Sequence, residues 1–272
     1  IHEIESPKGY VLSQEEIAVT ISEVDEIVEI SLVNYFIRGS ISLTKVDKDS
    51  PDNKLTGAVF EVYSDTNGDG KLDKDDALLG TMTEMEGGVY QMTELRYGKY
   101  LVREKTAPTG YILDENVYPV SIEENGKTYT VENEAEKGFL NEAQKGNLKI
   151  VKTSSDGKVE GFSFRITGVN YDQTFKTDKN GEISIEGLRI GEYTVSEVND
   201  KASAGYILPA DKQASVQTGA TTIVQMHNEL RDTPKTGDDF NPALWVSLAA
   251  AFTIGAGVLG FLGIKGKKKK ED

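Results

Sequence analysis

The chain contains no cysteine and only two histidines, His2 and His227, among 272 residues. No disulfide can staple such a fold, and no thiol is available as a nucleophile. With two imidazoles and no thiolate, the usual ligands of a transition-metal site are missing as well. Positive charge is scarce: 30 Lys plus Arg face 45 Asp plus Glu, giving 30 − 45 = −15. Phosphate binding needs clustered Lys and Arg, so a nucleic-acid partner is excluded, and the chain is not expected to be an enzyme. Before Ala243 no segment shows a long amphipathic helix pattern. No leader precedes Ile1, which predicts a fragment or a processed form. A protein exposed outside a cell without disulfides needs another source of toughness.

What is present is clearest at the C-terminus. From Ala243 to Ile264 the sequence runs for 22 residues without a charge, and Lys265 with Lys267 to Lys270 follows directly. A helix of that length reaches roughly 33 Å, enough to cross a hydrocarbon core of about 30 Å. The basic cluster predicts a cytoplasmic end and places everything before Ala243 outside. Just upstream lie Thr233, Pro234, Lys235, Thr236 and Gly237. Pentapeptide, apolar span and basic tail, in this order, resemble the cell-wall sorting signal of Gram-positive surface proteins. Thr233 stands where that signal usually has Leu. The resemblance implies a sortase that cuts between Thr236 and Gly237 and passes the Thr236 carboxyl to a peptidoglycan cross-bridge amine or a pilin lysine. It also implies a secreted, wall-anchored protein that spans the membrane only as a precursor. Extended backbone around Pro234 suits presentation to a protease-like cleft.

Upstream of the signal the chain repeats itself. HEIESPKGYVL from His2, REKTAPTGYIL from Arg103 and SEVNDKASAGYIL from Ser196 each carry a glutamate, then Gly-Tyr, an apolar residue and Leu. A second recurring pair runs from Asn34 to Lys45 and from Asn141 to Lys152, 11 positions each, with a Gly five after the Asn. The unit therefore reads Lys, Glu, Asn. Complete copies are Lys45, Glu104, Asn141 and Lys152, Glu197, Asn228. Residues 1–39 hold Glu3 and Asn34 but no lysine ahead of the glutamate, where the unit begins, which predicts a missing half upstream of Ile1. Within the copies ISLTKV, AVFEVY, KYLVRE, YPVSIE and TYTVE, then NLKIVK, FSFRIT, EISIEG, EYTVSE and TTIVQM, read as strands between Gly, Asp, Asn and Pro clusters. The predicted class is all-β: tandem immunoglobulin-like sandwiches followed by a transmembrane helix. The expected divisions are 1–39, a truncated module; 40–145 and 146–231, two complete ones; and 232–272, the sorting signal.

These units resemble the Cna-B or SpaA-type modules of Gram-positive adhesins and pilins. The resemblance implies an intramolecular Lys–Asn isopeptide bond in each complete copy. Lys45 would join Asn141 and Lys152 would join Asn228, with Glu104 and Glu197 as the promoting acids. Glu3 and Asn34 would be the remnant of a third site whose lysine lies upstream. The chemistry is plausible on physical grounds. Burial lowers a lysine's pKa and frees its amine, a buried glutamate stays protonated, and the fold supplies a large effective molarity. The reaction happens once per module and is not turnover. Asn133, in YTVENE, is the rival for Asn141, which is preferred because its spacing to the next lysine matches the preceding copy.

One insertion distinguishes the first complete copy. Lys45 to Glu104 spans 59 positions but Lys152 to Glu197 only 45, and DTNGDGKLDKDD fills much of the difference. On the calcium-loop template Asp65, Asn67 and Asp69 take positions 1, 3 and 5, Gly70 the turn, Lys71 a carbonyl ligand, and Asp73 and Asp76 positions 9 and 12. The alternative is an acidic hairpin turn. Taken together, the sequence reads as the stalk of a wall-anchored adhesin or of a minor or basal pilin, whose upstream domains would bind a host or surface ligand. A polymerising pilin subunit and the stalk of a surface enzyme are the alternatives. Tyr118-Pro119 is followed by Val120, so no pilin-type Tyr-Pro-Lys motif is present.

Overall fold

Alternation of apolar and polar residues with period 2 decides the architecture, because successive strand side chains face opposite sides of a sheet. The structure, a computed structural model, describes residues 1–231. The expected transmembrane helix and the pentapeptide with Thr233, Pro234, Lys235, Thr236 and Gly237 lie outside the described residues. Among the described residues there is no helix long and apolar enough to cross a membrane.

The first complete module contains β1 (Arg38–Asp47), β2 (Ser50–Lys54), β3 (Val59–Ser64), β4 (Ala77–Thr81), β5 (Thr83–Met85), β6 (Val89–Arg96), β7 (Gly98–Thr106), β8 (Val117–Ile122), β9 (Thr128–Thr130) and β10 (Phe139–Asn141). One sheet has the order β10-β1-β6-β5, with β2 and β9 also on β1, and the other β4-β3-β7-β8. The second module contains β11 (Lys145–Ser154), β12 (Ser163–Gly168), β13 (Tyr171–Lys176), β14 (Glu182–Arg189), β15 (Gly191–Glu197), β16 (Tyr206–Ile207), β17 (Lys212–Val216) and β18 (Thr221–Leu230). Its sheets run β14-β11-β18-β16 and β13-β12-β15-β17. In each module the first long strand pairs in parallel with the last one, β1 with β10 and β11 with β18.

All ten segments read as strands from the sequence fall on strands. The sequence reading missed β6, the buried β10, β16 and β17, and the exposed edges. β2, SPDNK, is exposed throughout and carries no alternation. Each module has its own core. Phe60, Tyr90 and Phe139 pack edge to face in the first, with ring centroids 5.0–5.1 Å apart. Phe162, Phe164, Ile166 and Val195 fill the second.

The recurring Gly39 and Gly146 are explained by close backbone approach. A Cβ on Gly39 would sit 2.8 Å from the Lys127 carbonyl oxygen, and one on Gly146 would sit 2.1 Å from that of Gln217. Both positions also carry a register shift in the pairing with the next strand.

Candidate functional site

The lysines inherit inward slots from the alternation. Ile41, Leu43 and Lys45 occupy one face of β1, and Leu148, Ile150 and Lys152 the matching face of β11, so each amine is carried into the core by its apolar neighbours. The facing sheet does the same for the acids: Tyr100, Val102 and Glu104 point inward from β7, and Tyr193, Val195 and Glu197 from β15. The last strand supplies the amide, with Asn228 following Val224 and Met226 at alternate positions of β18. Register completes the match. Phe139 lies opposite Lys45 and Asn141 opposite Asp47, while Met226 lies opposite Lys152 and Asn228 opposite Ser154.

In the first module Lys45, Glu104 and Asn141 are 0%, 3% and 2% exposed, so their polar atoms can be satisfied only by one another and nearby backbone. Lys45 Nζ donates to Asn141 Oδ1 and, at 3.0 Å, to the Phe139 carbonyl. Asn141 Nδ2 donates to both Glu104 oxygens, at 3.0 and 2.9 Å. Asp114 N–H adds a 2.8 Å bond to Glu104 Oε2. Glu104 Oε1 lies 3.7 Å from Lys45 Nζ. Burial lowers the Lys45 pKa to about 8, against the pull of the Glu104 and Asp114 carboxylates. Asn133 is not at the lysine: its amide donates to Asp114 and to the Leu140 carbonyl and accepts the Leu140 N–H, bracing β10.

The second module repeats the set with one difference. Lys152 is buried, lies over the Phe162 ring at 4.2 Å and is lowered in pKa by desolvation, but its ammonium donates to the Thr153 carbonyl. Asn228 Nδ2 donates to Glu197 Oε1 at 2.6 Å. The N-terminal remnant keeps the acid–amide half: Asn34 Nδ2 donates to both Glu3 oxygens at 2.8 and 2.7 Å, and Ser13 N–H binds Glu3 Oε2 at 2.6 Å.

The insertion forms a loop between β3 and β4. Asp65 accepts the N–H groups of Gly68 and Gly70, Asn67 that of Asp69, Asp69 that of Lys71, and Asp76 those of Thr66 and Asp73. The side chains named for calcium thus cap the loop's own backbone. Among the described residues no group of three or more His, Cys, Asp or Glu is disposed to hold a metal.

Sequence reasoning missed the joints, which repeat as faithfully as the sites. Ile37 N–H donates to the Gly9 carbonyl and Tyr97 N–H to the Ile37 carbonyl; one repeat later Gln144 N–H donates to Gly110 and Ile190 N–H to Gln144. The signals available were the Gly-Tyr of one unit and the Arg-x-Gly of the next, 96–98 and 189–191. Each joint adds its own side-chain clamp. At the first, Arg96 stacks 4.0 Å over Phe36. At the second, Arg189 Nη2 lies 2.7 Å from Asp47, Arg189 Nη1 donates to the Tyr111 hydroxyl at 3.1 Å, and that hydroxyl donates to Asp47 at 3.0 Å. Burial alone would raise the Asp47 carboxyl, but Arg189, the Asp49 N–H and the Tyr111 hydroxyl outweigh it and hold it below the usual range. A depressed carboxylate stabilises the docked joint above its free pKa near ~3.9 and loses that contribution as pH falls through the docked value. Small-angle scattering should therefore show a joint unchanged from pH 8 to 5 that loosens at more acid pH. Arg189→Ala should loosen it already at neutral pH, and an acid-insensitive wild type would count against the clamp.

Comparison with known proteins places the two modules in a family. The SpaA prealbumin-like fold domain matches residues 39–137 and again 146–230. Serine-aspartate repeat-containing protein D of Staphylococcus aureus is 32% identical over 168 residues, covering 49% of this chain and 13% of that protein. The chain thus spans about an eighth of that relative's length. Among solved structures, the Bacillus anthracis TIE protein superposes with a TM-score of 0.65 at 24% identity, over 85% of this chain and 41% of that one. A minor pilin of Streptococcus agalactiae gives a TM-score of 0.33 at 16% identity, over 74% of this chain and all of that one. With two matched copies covering most of its length, the chain belongs to the family of SpaA prealbumin-like fold domains.

Proposed function

We propose that the chain is a load-bearing stalk segment of a Gram-positive surface protein of the adhesin or minor-pilin kind, crosslinked within each module by a Lys–Asn amide and joined to the wall by a sortase. The observation that carries this reading is the buried Lys45–Asn141–Glu104 constellation and its repeat at Lys152, Asn228 and Glu197. A neutral Lys45 amine attacks Asn141 Cγ, forming the new C–N bond. The carboxyl of Glu104 takes the proton released by the attacking nitrogen and gives it to Asn141 Nδ2, which departs as ammonia. Atoms balance as amine plus carboxamide giving substituted amide plus one ammonia. Proximity supplies the rate, since the fold holds a reacting pair that would not meet productively in solution.

Strand order supports a mechanical purpose. Tension entering at Arg38 runs along β1 to Lys45, crosses the amide to Asn141 and leaves on β10, so residues 46–140 are outside the load path. Lys152 and Asn228 would shield residues 153–227 in the same way. The intact mass of the folded chain should be lower than the sequence mass by two ammonia molecules, with peptide maps joining Lys45 to Asn141 and Lys152 to Asn228.

Calcium at the 65–76 loop is a further proposal, supported by the order of side chains in Asp65, Asn67, Asp69, Lys71, Asp73 and Asp76 and by the low exposure of Asp65, around which the loop folds back at Gly68 and Gly70. A divalent cation would relieve the repulsion of these carboxylates. Calorimetric titration should find one site, lost in Asp65→Ala with Asp69→Ala. Identical melting in calcium and in chelator would leave a self-capped acidic turn as the account of this loop.

A further inference from the structure

The three acid–amide pairs are superposable in register but not in hydrogen bonding. Tyr10 bridges Phe36, Tyr111 bridges Ala143 and Tyr206 pairs with Leu230, in each case two residues beyond the asparagine. Three residues after the tyrosine, the chain meets the glutamate in the first two copies, and the matched pairing of Tyr206 with Leu230 puts Pro209 at the equivalent place in the third. In the first two copies the residue there is Ser13 or Asp114, and its N–H binds the glutamate Oε2 at 2.6 or 2.8 Å. In the third copy YILD is replaced by YILP, and Pro209 has no N–H to give.

Two buried atoms are left over in this copy: Glu197 Oε2 lacks the N–H that Ser13 or Asp114 gives elsewhere, and Asn228 Oδ1 lacks the ammonium that Lys45 gives Asn141, because Lys152 Nζ donates to the Thr153 carbonyl. Among the described residues Glu197 Oε2 and Asn228 Oδ1 have no hydrogen-bond partner, although Glu197 is 9% and Asn228 0% exposed. In the other copies the asparagine Nδ2 spans both carboxylate oxygens, whereas Asn228 Nδ2 is bonded to Glu197 Oε1 alone. Two buried, unpaired acceptors on residues already joined by the Asn228 Nδ2–Glu197 Oε1 bond are costly unless a proton is supplied to them. A proton on Oε2 removes both penalties at once, because a carboxylic acid and a carboxamide close a ring of two bonds, N–H to Oε1 and O–H to Oδ1.

We propose that Pro209 is a positioning residue that, by withholding a backbone N–H, keeps Glu197 as a resident carboxylic acid whose O–H is given to Asn228 Oδ1. This rests on the crosslinking reading and refines it. The third copy holds its carboxamide polarised by an O–H before the amine attacks, while the second presents the amide to a carboxyl already occupied by the Asp114 N–H. The charged groups facing Glu197 are Lys152 from β11 and Asp200 from the turn after β15, with Asn228 contributed by β18 and Asp156 acting on Lys152. Burial pushes the Glu197 carboxyl up, the Asn228 amide and Lys152 pull it down, and Asp200 pushes it up, leaving it raised.

The test is a carboxyl titration by carbon NMR on the full chain carrying Lys152→Met, so that no bond consumes the site, with the Glu197 signal assigned by its loss in Glu197→Gln. Pro209→Ser, the residue of the first copy, and Pro209→Ala both restore an N–H while differing in side chain. Both are expected to move the Glu197 midpoint down by about one to two pH units, the worth of one hydrogen bond to a charged group. An unmoved midpoint in both variants overturns the proposal. The mass of the second module with Lys152 unsubstituted reports separately on the crosslink, so failure of the amide to form and failure of Pro209 to set the proton are distinguishable.

Discussion

A chain carrying Glu104→Gln is expected to retain one ammonia and to melt its first complete module roughly 20–30 °C lower, with the second module unchanged. The magnitude comes from the loop. Lys45 and Asn141 are 96 positions apart, and closing a loop of that length removes about 4 to 5 kcal/mol of unfolded-state entropy in the chain-entropy model. The variant should also acquire a pH dependence that the crosslinked protein lacks, because an amide does not titrate. Its free Lys45 amine, held at about 8 in the folded module with Glu104 present, titrates near ~10.4 once unfolded. Between those values the unfolded state binds more protons, so stability rises with pH through this window, by about 3 kcal/mol in all, and is lowest on its acid side. Removing Glu104 deletes a charge that raises the lysine, so the window opens further toward acid. Lys45→Met should lose the crosslink without gaining the pH limb, having no amine to bury. A well-folded wild-type chain of unmodified mass would sink the crosslinking account.

Much of this site is legible in the sequence for a simple reason. The alternation of ISLTK and of YTVSE places a charged residue in a slot whose neighbours two and four positions away are apolar, and a charge in an inward slot needs a partner. Asn141 was separable from Asn133 only by counting, and the structure gives the physical reason: Asn133 spends its amide on Asp114 and Leu140. The joint was not legible, because Asp47 and Arg189 are 142 positions apart and belong to different modules, and neither is unusual in its own strand. Pro209 sits in a segment that matches its counterparts at Gly, Tyr and Leu, so its one substituted position gains meaning only when the N–H of Asp114 is seen on Glu104. The edge strand β2 has no inward face and so leaves no pattern to read.

Expressed in a Gram-positive host with its own sortases, the protein is expected to leave the membrane and become covalently bound to the wall. The argument rests on the order of three features near the C-terminus: Thr233 to Gly237, the uncharged stretch 243–264, and the lysines from 265 on. An apolar span alone would hold the protein in a bilayer, and nothing would then require Thr-Pro-Lys-Thr-Gly at a short polar distance outside it. Arrest in the bilayer holds Thr236-Gly237 where a membrane-bound transpeptidase can reach it. Its thiolate would attack the Thr236 carbonyl and release the Gly237 amine, and an amine of a cross-bridge or a pilin lysine would displace the thiol to form the final amide. The load path proposed for the modules would then continue through Thr236 into the wall, with every link along it covalent. Muramidase digestion should release protein ending at Thr236 with wall peptide attached, and Thr236→Ala should abolish that release while leaving both module crosslinks in place. Recovery solely in the detergent-soluble membrane fraction, with Trp245 still present, would make a permanently membrane-held stalk the better account.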